Sequence, residues 1–287
     1  MIYRRRPSPL HAARAAVGCG YCLALAVAAL TLSAPLALGA VVVSVVCAGV
    51  AAGVGRNLGR AVRFALVLGL LVAAVNALVT PDGLTVIWRM GDLPILGQTD
   101  ITLEATVYGA ILGLRAAALV LCGVMYTLVV DPDEVLGLLR RLSFRSALTV
   151  TLSTRMVPVL LSDSRRLADA QRCRPGRPPS RLALLRAATA GAFDRALDVA
   201  AALEVRGYGT ARRPQRLRTP WSRHDLAFAA SAAAIVALAV AGRVAGLAPF
   251  QAYPGLSSPV GVGEILLALG LVACALLPFL DRRGLER

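Results

Sequence analysis

The chain has 287 residues, of which 57% are hydrophobic and only 16% charged, against roughly 45–50% apolar and about 25% charged in an ordinary soluble domain. All 31 basic residues are arginine, 16 residues are acidic, and the net charge is +15. The excess of apolar over charged residues points away from a soluble globular fold. The absence of lysine also excludes a Walker A loop, whose lysine reaches the terminal phosphates, and lysine-dependent Schiff-base or Ser-Lys chemistry. Any use of ATP falls to another subunit.

Residues 15–54 are apolar for about 40 positions. As one helix they would measure about 60 Å, twice the roughly 30 Å hydrocarbon core. The run must fold back at Ser33-Ala34-Pro35, giving spans near 16–33 and 36–54. Arg4, Arg5, Arg6 and Arg14 ahead of the first span imitate a secretory signal peptide, but the apolar pattern resumes at once. Further spans are predicted at about 61–80, 105–130, 224–245 and 262–280. The expected fold is an all-α polytopic membrane protein with about six transmembrane helices. It divides into N-terminal spans (1–130), a basic section (131–222) and two C-terminal spans (223–287).

The loops alternate in charge. The N-terminal arm, the loop with Arg56, Arg60 and Arg63, the section 131–222 and the tail with Arg282, Arg283 and Arg287 are basic. Residues 81–104 carry Asp82, Asp92, Asp100 and Glu104 against Arg89, and 246–261 carry no charge. Arginine-rich short loops stay in the cytoplasm, so both termini are expected inside a plasma membrane. The charge is then topological rather than a nucleic-acid footprint. Gly49 with Gly53, Gly55 with Gly59 and Gly109 with Gly113 are small-xxx-small pairs that would permit close helix approach.

Cys19-x-x-Cys22 lies inside an apolar run, the other four cysteines are scattered, and His11 and His224 are the only histidines. Neither a metal nor a cofactor is expected, since a structural site needs clustered ligands. Arg115 is the one charge deep inside a span, where burial costs a few kcal/mol. It requires a partner: Asn76, Glu104, Glu264 or a backbone carbonyl. Both a structural role in helix registry and a place on a transport path are open to it.

The section 131–222 holds 17 arginines and eight acids and is too long to be an unstructured connector. Asp131-Pro132-Asp133-Glu134 starts a helix: a capping aspartate, proline at the first helical position, and acids beside the positive dipole end. Its Val135, Leu136, Leu138, Leu139 and Leu142 stripe marks an interfacial amphipathic helix. A second helix runs from about Arg145 to Arg174, with a bend expected at Pro158. A third follows Ser180 and ends at Gly207, a residue suited to the left-handed position past a helix end. Each long helix thus finishes on an arginine, Arg174 before Pro175-Gly176 and Arg206 before Gly207. A cation there is favoured by the helix dipole, by about 0.3–1 kcal/mol. A planar guanidinium at a rigid tip is also shaped to dock bidentately on a partner's carboxylate.

Arg155-Met156-Val157-Pro158, Ala170-Gln171-Arg172-Cys173-Arg174 and Ala202-Leu203-Glu204-Val205-Arg206-Gly207-Tyr208 resemble the transmembrane T component of energy-coupling factor transporters, the group that includes the cobalt-type permeases. So does the Arg115 span leading into Thr127 and Asp131-Pro132. The motifs cover roughly residues 100–215. The resemblance implies two Ala-Arg-Gly signatures at the ends of cytoplasmic coupling helices, each arginine engaging an acidic groove on one of two ABC-type ATPases. Here they are Cys173-Arg174-Pro175 and Val205-Arg206-Gly207, the first with proline where the family has glycine. Gln171, Cys173, Glu204, Gly207 and Tyr208 then belong to the same contacts. The implied function is a non-enzymatic subunit that passes ATPase motion to a small substrate-binding membrane S component, for import of a vitamin or metal ion. The implied partners are those subunits and lipid, with no nucleic acid. The alternatives are a conventional ABC permease that forms the substrate path itself, and a membrane-embedded enzyme, which the scarcity of histidine and of intramembrane acid pairs disfavours.

Overall fold

A computed structural model of the chain describes residues 6–79, 85–93, 97–139, 144–173, 181–208, 220–246 and 261–281. In chain order these form α1 (Pro9–Ala12), α2 (Ala15–Thr31), α3 (Pro35–Ala51), α4 (Gly55–Val79), β1 (Val86–Leu93), β2 (Gly97–Thr102), α5 (Leu103–Val129), α6 (Pro132–Leu139), α7 (Phe144–Arg172), α8 (Arg181–Val205), α9 (Arg223–Val244) and α10 (Val262–Leu276), closed by a 3-10 turn at Leu277–Phe279. The chain separates into two compact units, Met1–Val135 with Trp221–Arg287, and Leu136–Pro220.

The first unit is the apolar helical bundle. In it α4, α5, α9 and α10 with its 3-10 extension are long and apolar enough to cross a membrane. The α2 and α3 helices are apolar but have only 17 residues each, about 25 Å. The chain between them is extended from Leu32 to Ala34, and Pro35 takes the first position of α3, where its missing N–H is not needed. This is an all-α membrane fold with one departure: between α4 and α5 the sequence predicts only a loop, and the structure has an antiparallel hairpin there, β1 against β2. Val86-Ile87-Trp88 supplies the β-branched and aromatic residues that favour strands, in a run too short to stand out by periodicity. Thr102 then caps α5, its side chain accepting from the Ala105 N–H. Glu104 in the first turn accepts from the Thr85 hydroxyl at 2.7 Å.

Two packing devices hold the bundle. Tyr21 of α2, Phe228 of α9 and Phe279 meet edge to face, with centroids 5.1–6.4 Å apart, the arrangement that aromatic quadrupoles prefer. The Tyr21 hydroxyl donates to the Ala275 carbonyl at 2.8 Å. Between α4 and α5 the contact is backbone to backbone: a Cβ on Gly113 would run into the Gly69 carbonyl oxygen, and one on Gly109 would lie 2.7 Å from that of Ala73. Lipid is as apolar as a side chain, so close van der Waals approach between small residues replaces the hydrophobic effect as the cause of association. Of the three glycine pairs in the sequence, Gly109 with Gly113 is the one on this crossing. Gly53 serves instead as the left-handed end of α3, at φ 75°, and Gly59 has open space where a Cβ would be.

Tyr21→Phe is expected to cost about 1 kcal/mol, the range of one hydrogen bond inside a membrane protein. Tyr21→Ala is expected to cost about 3–5 kcal/mol, because it also empties the aromatic cluster. Unfolding in mixed micelles separates the two, and equal losses would contradict the packing role given to the ring.

The second unit comprises the end of α6, α7 and α8. The α7 helix runs through Pro158 to Arg172 without ending there. Asp163 of α7 and Arg195 of α8 form an ion pair that ties the two long helices together midway. Beside it lies a groove of about 780 Å3, lined mainly by Val157, Leu160, Leu161, Leu167, Ala188 and Ala192.

Candidate functional site

The end of α8 is built by its glycine. Gly207 adopts φ 78°, a conformation that L side chains resist. Its N–H donates to the Glu204 carbonyl and the Tyr208 N–H to that of Leu203, both at 2.9 Å. This is the Schellman arrangement, which satisfies the orphan carbonyls of the last turn. Arg206 stands at the C-cap with its N–H on the Ala202 carbonyl, so its backbone is fixed while its side chain is exposed. Val205, 91% exposed, and Tyr208, 44% exposed, flank it, and Glu204 is exposed two residues back. The α3 helix ends on the same bond pattern at Gly53 and Val54, but there Arg6 folds back to donate to the Gly53 carbonyl. The turn alone is a structural stop. An outward arginine between two exposed apolar side chains is what sets the α8 tip apart.

At the end of α7, Gln171 is half-buried and Cys173 exposed, with the Cys173 N–H on the Asp169 carbonyl. Arg174, with Pro175 and Gly176, lies outside the described residues. Arg206, Gly207, Tyr208 and Glu204 therefore form one continuous patch, with Gln171 and Cys173 at the end of the other long helix.

Arg115 belongs to the membrane unit. Its Nη2 donates to the Leu32 carbonyl at 2.9 Å, and Arg243 from α9 donates to the Thr31 carbonyl at 3.3 Å and the Ser33 hydroxyl at 3.2 Å. The reason lies in the shortness of α2. Its last carbonyls have no following turn, and a bare carbonyl inside a bilayer costs several kcal/mol. Two guanidinium groups supply the donors, and their charge complements the negative end of the helix dipole. Of the partners open to Arg115 on sequence grounds, the backbone carbonyl is the one it meets.

A second polar cluster lies at the opposite end of α2, where the sequence predicts none. Asp225, 1% exposed, accepts from the Arg14 N–H at 2.8 Å and from the Ser222 N–H at 2.9 Å, and pairs with the Arg14 guanidinium at 3.3 Å. The Ser222 hydroxyl accepts in return from the Asp225 N–H, completing a capping box. The Arg14 guanidinium lies 5.6 Å from the Trp221 ring centroid, within cation–π range. Ser222-x-x-Asp225 ahead of an apolar run was the available sequence signal; nothing in the sequence names Arg14 as its partner. Among the described residues no three His, Cys, Asp or Glu side chains come together as a metal site.

No curated protein matches the chain. Over residues 7–217 it matches the family described as CbiQ, cobalt transport protein, a stretch that takes in α2 to α5, both long helices and the Arg206-Gly207 tip. With four helices among the described residues able to cross a membrane and this match over most of its length, the chain is a multi-pass membrane transport protein and belongs to the CbiQ family.

Proposed function

We propose that this protein is the energy-coupling transmembrane subunit of an ABC-type uptake transporter of the energy-coupling factor class. ATP is hydrolysed by two partner ATPases. Their motion enters through Arg206 at the end of α8 and through Arg174, which follows α7 in the sequence, and a small membrane S component captures the substrate, a metal ion or vitamin. Both termini then lie in the cytoplasm, the side to which the arginine-rich loops point.

The observation that carries this reading is the α8 tip. An exposed guanidinium on a backbone locked by a Schellman turn, between Val205 at 91% and Tyr208 at 44% exposure, is the chemistry of a docking point. Arginine offers a planar fork to a carboxylate, and the flanking apolar groups exclude water around it. The total lack of lysine, and with it of any Walker A loop, supports hydrolysis on other chains. The apolar groove between α7 and α8 supports a membrane partner on the long helices.

Tyr208→Ala is expected to weaken ATPase association less than Arg206→Glu does, since it removes packing without leaving a carboxylate unpaired. Detergent pull-down with titrated ATPase ranks the two variants, and a Tyr208→Ala loss equal to or larger than the charge reversal would contradict the docking geometry.

A further inference from the structure

The chain leaves the membrane unit after Val135 and re-enters it at Trp221, and Arg14-Ala15 grips it beside both crossings. The grips are unequal. On the return side, buried Asp225 takes two backbone N–H groups and the Arg14 guanidinium, inside a capping box that adjoins Trp221. On the outgoing side Glu134 Oε2 accepts from the Ala15 N–H at 3.1 Å, and Glu134, unlike Asp225, is exposed. A cavity of about 20 Å3, bounded in part by Arg14, Ala15, Val130, Asp131 and Glu134, lies beside that bond with room for about one water.

Glu134 also performs a task that α2 cannot perform for itself. The N-cap of α2 is Arg14, whose side chain makes no capping bond, and the first turn carries no acid. The positive end of α2 is therefore served by carboxylates from two other helices, Asp225 on the Arg14 N–H and Glu134 on the Ala15 N–H. We propose that Glu134 is a releasable latch on the N-terminus of α2, which lets go when α6 moves while the Arg14–Asp225 joint stays closed. Movement of the outgoing chain thus frees the Ala15 end of α2 from α6, while the return side stays joined to it. The part the latch plays in coupling rests on the function proposed above; the contact itself does not.

Spin labels test it in the whole chain in lipid nanodiscs, with Cys19, Cys47 and Cys274 replaced by alanine and Cys173 by serine, in a background first matched to the unaltered chain for ATPase co-purification. Ala16, Asp133 and Arg223 are exposed, and labelled cysteines there report α2 against α6 (16 with 133) and α2 against α9 (16 with 223). Glu134→Ala is expected to add a 16–133 distance longer by more than about 5 Å, one helical turn, and to leave 16–223 unchanged. ATP and vanadate trapping of the complex with its ATPases should raise the same long population. An unaltered 16–133 distance in both conditions, or an equal change in 16–223, would overturn the latch. If ATPases co-purify and trapping leaves 16–133 fixed while Glu134→Ala opens it, the latch in coupling fails and the proposed function stands. If Glu134→Ala opens it and no ATPase co-purifies with the unaltered chain, the proposed function fails and the latch stands.

Discussion

A chain carrying Arg174→Glu and Arg206→Glu is expected to lose, in a detergent pull-down from native membranes, the ATPase subunits that the unaltered chain retains. Removing one partner of a buried, hydrogen-bonded interfacial charge pair costs about 2–5 kcal/mol, roughly 30-fold to several thousand-fold in affinity. Reversal adds repulsion against the carboxylate that remains. The rigid backbone at Gly207 sharpens the test, because the α8 end cannot swing a neighbouring arginine into place without breaking the 2.9 Å bonds from Gly207 and Tyr208. Arg206→Lys should fall between the two, keeping the charge and losing the planar fork. Undiminished ATPase recovery with the double variant would remove the basis for the coupling assignment.

The second large effect is expected at the crossing of α4 and α5. Gly113→Val places a branched side chain where even a Cβ would collide with the Gly69 carbonyl oxygen, so the two helices must separate. A helix backbone cannot yield as a flexible side chain does, and overpacking of this kind costs about 1–3 kcal/mol or more. Gly113→Ala is the mildest form and should already destabilise. Gly123 lies on the same helix with no atom within 4 Å of the place a Cβ would take, so Gly123→Ala should be neutral or slightly stabilising by helix propensity. Thermal unfolding of the three variants in one detergent separates packing from propensity, and equal behaviour of Gly113→Ala and Gly123→Ala would refute the close crossing.

Periodicity and length carry most of the helical fold, because a bilayer admits so few solutions. A stretch near 20 apolar residues can satisfy its backbone only as a helix, and α4, α5 and α9 announce themselves that way. The hairpin β1–β2 was not legible, since short strands among charges carry no strong period. At the candidate site, the end of α8 could be read from Gly207, because only glycine takes that conformation at no steric cost. Arg115 could be recognised as a charge in need of a partner. Which partner could not be read, since Leu32 is 83 residues away and its carbonyl is needy only because α2 stops short.

Composition and local pattern by themselves thus determined the solvent of this protein, its helical class, the absence of a lysine-based nucleotide site, and the arginine that ends α8. Each of these is a property of a segment and its own residues. Only the tertiary structure decided that Arg115 and Arg243 converge on the end of α2, that Gly113 faces Gly69, and that Arg14-Ala15 binds both Asp225 and Glu134. These pairings join residues 44 to 212 positions apart. They arise from which helices pack together, and no local propensity encodes that choice.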